Sequence, residues 1–233
     1  VDAPGGGEPG VTLADRLGTV DAEIAEAAHA AGRDPGALTR IVVTKFHPAS
    51  LVLELARLGV RDVGENRHQE AIAKVAEVGD VALHWHFVGQ LQSNKARAAR
   101  SYATAVHSVD RASLVDALGA EDGRQVGVFL EIRLSTEPGR GGVSPDDAHS
   151  LAEHVLATPG LRLLGVMGVA PLDGQPRPAF ERLRAVSAGI QTLEPTATAI
   201  SAGMSGDFRE AILEGATHLR IGSAITGKRP TPG

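Results

Sequence analysis

Short β-prone apolar runs alternate with amphipathic, helix-prone stretches along almost the whole chain, and this alternation most limits the folds open to it. The expected strands are 41–45, 60–64, 83–88, 104–108, 126–133, 161–168, 197–200 and 217–221. Between them, apolar residues recur at helical spacing near 49–58, 65–77, 91–100, 111–121, 145–157, 177–193 and 206–214. Strand–helix units repeated about eight times predict an α/β domain, a single (β/α)8 barrel of the TIM type. A doubly wound open sheet shares the alternation, but no Gly-x-Gly-x-x-Gly follows the first strand. An extra N-terminal helix precedes the barrel, with Leu13, Leu17, Val20, Ile24 and Ala27 or Ala28 at helical spacing before Gly32 and Pro35 end it. Residues 1–10, rich in Gly and Pro, read as a disordered tail, which leaves 11–233 for the barrel.

The 233 residues suit one barrel, and a hydrophobic content of 42% is enough to fill its core. A net charge of −5 argues against a nucleic-acid partner, so Lys95, Arg97 and Arg100 read as a solvated helix face. The absence of cysteine excludes disulfides and thiolate metal sites and fits a reducing, cytoplasmic setting. No run approaches the length of a membrane span, and no secretory leader is apparent. His84 and His86 flank Trp85 and share a strand face, yet no third ligand stands at metal spacing. Trp85 is expected to pack outward on the helices, with His86 lining the barrel top.

In such a barrel the active face is built from the carboxyl ends of the strands and the loops that follow them. Lys45, Gly64-Glu65-Asn66, His86 to Gly89, His107-Ser108, Met167 and Arg220 fall there. Strand alternation puts Lys45 with Ile41 and Val43, and Arg220 with His218, so Lys45 and Arg220 are expected to face one ligand. Asn66 reads as a ligand-side group and Glu65 as its support. The loop Ser201-Ala202-Gly203-Met204-Ser205-Gly206-Asp207 offers small residues, two hydroxyls and the start of a helix, and Gly222-Ser223 supplies a second nest. Glycine–serine turns are common, and Asp207 is equally suited to capping its helix. An amine opposite a phosphate cradle suggests a phosphorylated aldehyde held as a Schiff base, favoured where desolvation or a nearby cation activates the lysine.

These stretches resemble the pyridoxal-phosphate homeostasis proteins, a single-domain branch related to the barrel of alanine racemases. The matches are Val43-Thr44-Lys45, Gly64-Glu65-Asn66 with Gln69-Glu70, Trp85-His86-Phe87-Val88-Gly89 through Leu91-Gln92-Ser93-Asn94-Lys95, and His107-Ser108-Val109-Asp110-Arg111. Gly203-Met204-Ser205 with Asp207, and Arg220-Ile221-Gly222-Ser223-Ala224-Ile225 with Gly227, complete them. The resemblance implies that Lys45 forms an internal aldimine with pyridoxal 5′-phosphate, that Ser205, Gly222 and Ser223 surround the phosphate, and that Arg220 lies near the pyridine nitrogen. It places Asn66 and Met167 against the ring; Ser201, Met204 and His86 complete the expected cofactor-binding set. The chain departs from the family pattern at Ala202, Arg67-His68, Arg140 and Thr226, which bears on the ring edge and rim.

Cofactor binding does not by itself imply turnover. A two-base racemase needs an acid/base opposite its lysine, commonly a tyrosine from a second domain. The one tyrosine, Tyr102, precedes a strand at the other barrel end. An arginine at the ring nitrogen also withholds the ring proton that a carboxylate would support. The sequence therefore reads as a cytoplasmic, monomeric protein that binds pyridoxal phosphate reversibly and buffers it or delivers it to apo-enzymes. A weak racemase, or another enzyme of the alanine racemase barrel type, is the alternative. A cofactor-free Schiff-base aldolase explains Lys45 and the phosphate loops but not the resemblance.

Overall fold

The computed structural model describes residues 11–135, 141–171 and 175–228; the expected tail 1–10 and Arg140 lie outside them. Helix α1 (Leu13–Ala30) comes first, and a 3-10 turn at Pro35–Ala37 leads into the barrel. The order is then β1 (Thr39–Val43), α2 (Ala49–Arg57), β2 (Asp62–Glu65), α3 (His68–Val78), β3 (His84–Phe87), α4 (Ser93–Arg100), β4 (Ala105–Val109) and α5 (Ala112–Leu118). The second half is β5 (Val126–Glu131), α6 (Ala148–Ala157), β6 (Leu161–Met167), α7 (Pro176–Gln191), β7 (Ala199–Ser201), α8 (Phe208–Leu213), β8 (His218–Ile221) and α9 (Ser223–Thr226). Every neighbouring pair is parallel, and β8 closes on β1 with Ile41 opposite Arg220. The expected eight-stranded barrel forms.

Each helix turns its apolar stripe onto the strands. In α1, Leu13, Leu17, Val20, Ile24, Ala27 and Ala28 are buried, and the helix packs on α8 and α9 beside the closing strand. Thr12 and Asp15 bond reciprocally to each other's backbone N–H groups and start α1 with a capping box. Around the sheet, Leu55, Leu114, Leu118 and Leu183 are fully buried, each contributing about 1.5–3 kcal/mol through removal from water. Trp85 joins this outer layer, as expected. Inside the barrel the filling is different. Ala105, Phe129 and Met167 form a small apolar cluster, and His86, His107, Ser201 and Arg220 are buried there too.

The ends of several elements differ from the sequence expectation. Strand β1 stops at Val43, so Lys45 lies in the following turn. Pairing with β2 runs out at Val43 and Gly64; beyond it the Thr44 carbonyl accepts from Lys74 Nζ, and Phe46 adopts a left-handed φ of 70°. Strand β5 stops at Glu131, with Ile132 making an isolated bridge to Val143. The helix expected over 206–214 is only Phe208–Leu213: the Asp207 side chain takes up the Met204 N–H and turns the chain first.

Candidate functional site

A cavity of about 370 Å³ opens at the carboxyl end of the barrel between β1, β2, β7 and β8. Lys45, Asn66, Met204, Ser205, Arg220, Gly222 and Ser223 line it together, with Val43, Val88, Val169 and Gly206 as its other walls. Residues separated by most of the chain thus meet because β8 closes on β1.

The lysine wall is built on a buried ion pair. Glu65, at the end of β2, accepts from Lys74 Nζ at 2.6 Å and from the Thr44 hydroxyl at 2.5 Å. Lys74 Nζ also donates to the Thr44 carbonyl at 2.7 Å, so the residue before Lys45 is held at both backbone and side chain. Burial raises the Glu65 carboxyl above its usual range, and the Lys74 and Thr44 bonds oppose that shift. Glu70 accepts from the Phe46 N–H at 3.2 Å, fixing the residue after Lys45 in its left-handed conformation. Lys45 itself is exposed at the mouth, with Nζ 5.8 Å from the Phe46 ring centroid. The desolvation expected around it is therefore not provided by the protein alone.

Asn66 follows Glu65 and presents a buried Oδ1 that has no hydrogen-bond partner among the described residues. Its backbone presses on Gly89, where a Cβ would stand 2.2 Å from the Asn66 carbonyl oxygen. That contact explains why glycine closes the Trp85–Gly89 segment.

On the opposite wall, Gly203 has φ 90°, and a Cβ there would lie 2.8 Å from both Phe208 Cα and Ala211 Cβ. The turn it permits points Met204, Ser205 and Gly206 at the cavity. Met204 N–H is consumed by Asp207 Oδ1 at 2.6 Å. Among the described residues the N–H groups of Ser205, Gly206, Gly222 and Ser223 make no backbone hydrogen bond, and all four residues line the cavity. Helices α8 and α9 are a turn or two long, so these amides and two hydroxyls, rather than a helix dipole, are the groups that could hold an anion here.

Arg220 closes the floor. Nη1 donates to the carbonyl and hydroxyl oxygens of Ser201, both at 2.7 Å, and Nη2 to the Gly168 carbonyl at 2.9 Å. Burial brings its pKa down to about 10, with Asp207 and Glu131 holding it up, so the guanidinium stays charged at neutral pH.

Three expected site residues lie below the mouth instead. His86 bonds Asp62 and His107 inside the barrel, because its side chain leans toward the amino end. Met167 packs with Ala105 and Phe129 in the interior cluster. Ser201 is fully buried beneath Arg220. Tyr102 comes from the expected end, but its ring stacks on His68 at the head of α3 with the hydroxyl 3.4 Å from Nδ1, outside the cavity. Of the departures, Arg67 pairs with Glu70 and covers the Phe46 ring, Ala202 is core, and the Thr226 hydroxyl donates to the Gly222 carbonyl. Sequence reasoning missed Lys74. Its signal was a lysine on the buried α3 stripe of Ala71 and Val78.

Among the described residues no group of His, Cys, Asp and Glu is arranged to hold a metal, and no helix is long and apolar enough to cross a membrane. The family described as alanine racemase, N-terminal domain, matches residues 17–230. The chain is 41% identical over 230 residues to the pyridoxal phosphate homeostasis protein of Pseudomonas aeruginosa, covering 94% of this chain and 96% of that one. The protein of the same name from Mycobacterium tuberculosis is 38% identical over 239 residues, with 93% of each covered. PipY of Synechococcus elongatus, solved with PLP bound, superposes with a TM-score of 0.82 at 34% identity, covering 93% of this chain and all (100%) of that one.

Proposed function

Since the chain belongs to the pyridoxal phosphate homeostasis protein family, we propose that it binds pyridoxal 5′-phosphate reversibly and buffers or delivers it, without sustained turnover. The observation that carries this reading is the single cavity that gathers an amine, an anion cradle and a buried guanidinium. The residues fit the cofactor. Four uncommitted N–H groups and the hydroxyls of Ser205 and Ser223 suit a phosphate, and the orphaned Asn66 Oδ1 awaits a donor.

When bound, the cofactor supplies an aldehyde for imine formation and a heteroaromatic ring able to delocalise electrons. Lys45 Nζ, once deprotonated, is the nucleophile for that aldehyde carbon, and water leaves. Ser205, Gly206, Gly222 and Ser223 bind the phosphate. Arg220 is a hydrogen-bond donor with no acceptor and keeps its own proton, so it binds an unprotonated ring nitrogen without charging it. That alone does not forbid turnover, since alanine racemases are similar here; the reading rests on the missing second base. No tyrosine lines the cavity to serve as a second base. A cytoplasmic, monomeric protein passing its cofactor to apo-enzymes fits the lack of cysteine and the family's name.

The loaded protein should show the visible absorption of a lysine-bound aldehyde, and Lys45→Ala should abolish it and weaken binding by about 100-fold or more. A band persisting in the variant would reject Lys45 as the anchor. Alanine incubated with loaded protein in deuterated water should exchange its α-proton near background, whereas rapid exchange of both enantiomers would favour a racemase.

A further inference from the structure

The barrel interior contains a continuous hydrogen-bonded chain that the cofactor site does not require for its walls. Arg220 Nη1 lies 2.7 Å from Ser201 Oγ, and Ser201 Oγ lies 2.8 Å from His107 Nδ1. His107 Nε2 is 2.9 Å from His86 Nδ1, and His86 Nε2 is 3.0 Å from Asp62 Oδ1. Ser201 and His107 are completely buried, and His86 and Arg220 nearly so. Asp62 begins β2 and lines a separate cavity at the amino end, beside Arg40 and Arg61. The chain therefore runs from the floor of the mouth to the opposite end of the barrel.

Its direction follows from the donor inventory. A guanidinium only donates, so Ser201 Oγ accepts from Arg220, and the one hydroxyl proton goes to His107 Nδ1. Neutral His107 then carries its proton on Nε2 and donates to His86 Nδ1. His86 in turn carries its proton on Nε2 and donates to the Asp62 carboxylate. Burial drives the His107 pKa well below its usual value, with His86, Arg220 and His218 adding to the effect, so this ring stays neutral. Burial pushes the Asp62 carboxyl up, but the bonds from His86 and His84 outweigh it and leave the group ionised. Running the chain backwards would need a proton on Asp62 or a second one on His86. It would also leave the Ser201 hydroxyl facing two donors with no acceptor for its own proton. His218 does not branch the chain: its Nδ1 lies 2.8 Å from Thr217 Oγ1, and its ring centroid stands 6.5 Å from that of His86 and 6.4 Å from that of His107 with no hydrogen bond to either. Phe129 stacks on His107 with centroids 4.2 Å apart and holds the ring in plane.

We infer that Ser201, His107, His86 and Asp62 act as positioning residues: a one-directional hydrogen-bond chain that locks the Arg220 guanidinium for a neutral ring-nitrogen acceptor. Ser201 cannot turn away from Arg220 while His107 claims its proton, and His107 cannot change tautomer while Asp62 anchors His86. Successive bonds of one sense also polarise each other, which strengthens the hold on Arg220. The ligand side of this inference rests on the pyridoxal phosphate reading; the direction of the chain does not.

Two-bond proton–nitrogen NMR of the full chain, labelled at histidine and free of cofactor, tests the direction. His86 and His107 should both appear as neutral Nε2–H tautomers at neutral pH. An Nδ1–H form, or an averaged mixture, at either ring would overturn the chain. Because Arg220 and Asp62 impose the same direction from opposite ends, Asp62→Ala or Ser201→Ala alone should keep the Nε2–H tautomers, and the Asp62→Ala, Ser201→Ala double variant should release both rings into mixtures. A pure Nε2–H tautomer surviving at both rings in the double variant would refute the chain as what sets it. For function, Ser201→Ala leaves Arg220 its bonds to the Ser201 and Gly168 carbonyls, so the floor stays built. That variant should bind pyridoxal phosphate about tenfold more weakly, but should lose little affinity for the analogue with C–H in place of the ring nitrogen. Equal losses for the two ligands would show that Ser201 does not act through Arg220. If the unaltered protein bound neither ligand, the cofactor reading would fall, while the tautomers would still decide the chain.

Discussion

On the β1–β2 side of the mouth, side chains hold the site in place; on the β7–β8 side, the backbone does. Lys45 sits between Thr44, gripped by Glu65 and Lys74, and Phe46, gripped by Glu70. Across the cavity, Gly203 sets a turn no side chain tolerates, and residues whose N–H groups make no backbone hydrogen bond among the described residues line the wall. The difference matches what each wall would do in the proposed site. A covalent anchor needs one atom held in place on a long, flexible side chain, which a buried ion pair beneath its backbone supplies. A phosphate needs several short donors around one concavity, which a glycine-permitted nest supplies without desolvating a cation.

The lysine wall should be the more costly to break. Lys74→Met keeps the apolar stem on the α3 stripe but leaves Glu65 buried without its cation, at a cost of about 3–5 kcal/mol. Because the Glu65 pKa is already raised, protonation offers an escape, and the loss should shrink as the pH falls. Urea unfolding at pH 8 and pH 5 measures both; a loss below about 1 kcal/mol at pH 8 would mean the pair does not support this wall. The phosphate wall should fail differently. Gly203→Ala forces a Cβ against Phe208 and Ala211 at an unfavourable φ and should cost about 2–3 kcal/mol. Its signature is selectivity: affinity for pyridoxal phosphate should drop far more than affinity for unphosphorylated pyridoxal. Parallel losses would place the damage outside the cradle.

The same division explains what could be read from the sequence. Strand–helix alternation is a local pattern, so the barrel and the order of its eight strands were legible. The β7–β8 wall was legible because glycine and serine loops advertise backbone geometry, and Ser205, Gly222 and Ser223 line the cavity. The lysine wall was legible only in part. Lys45 and Asn66 reach the cavity, but Lys74 acts through a contact made nine residues away in sequence and across a helix–strand interface. His86, Met167 and Ser201 stand apart from the cavity lining for a third reason: a barrel's interior is layered along its axis, and a residue's face does not reveal its depth. His86 and Met167 are on the inward face, yet they pack a layer below the mouth.

A smaller effect tests whether the far rim of the mouth belongs to either wall. Glu131, at the end of β5, accepts from Gln90 Nε2 at 2.8 Å, and its carboxyl is pushed up to about 7. Burial is the main cause and Asp110 adds to it, while Arg220 and Gln90 pull the value down. A carboxyl whose folded pKa exceeds its unfolded value contributes stability that is complete below the unfolded pKa and lost as pH rises through 7. His218 has the opposite sense: burial brings it down to about 4, so its contribution is complete above about pH 6.5 and lost as pH falls toward 4. Stability should therefore fall on both sides of a mildly acidic optimum. Glu131→Gln removes only the upper limb, and should gain about 1–2 kcal/mol over the unaltered chain at pH 8 and nothing at pH 4. A variant that gains equally at both pH values would show that the carboxyl is not held protonated by the fold. The rim would then be a neutral spacer between the two walls, with no strain of its own.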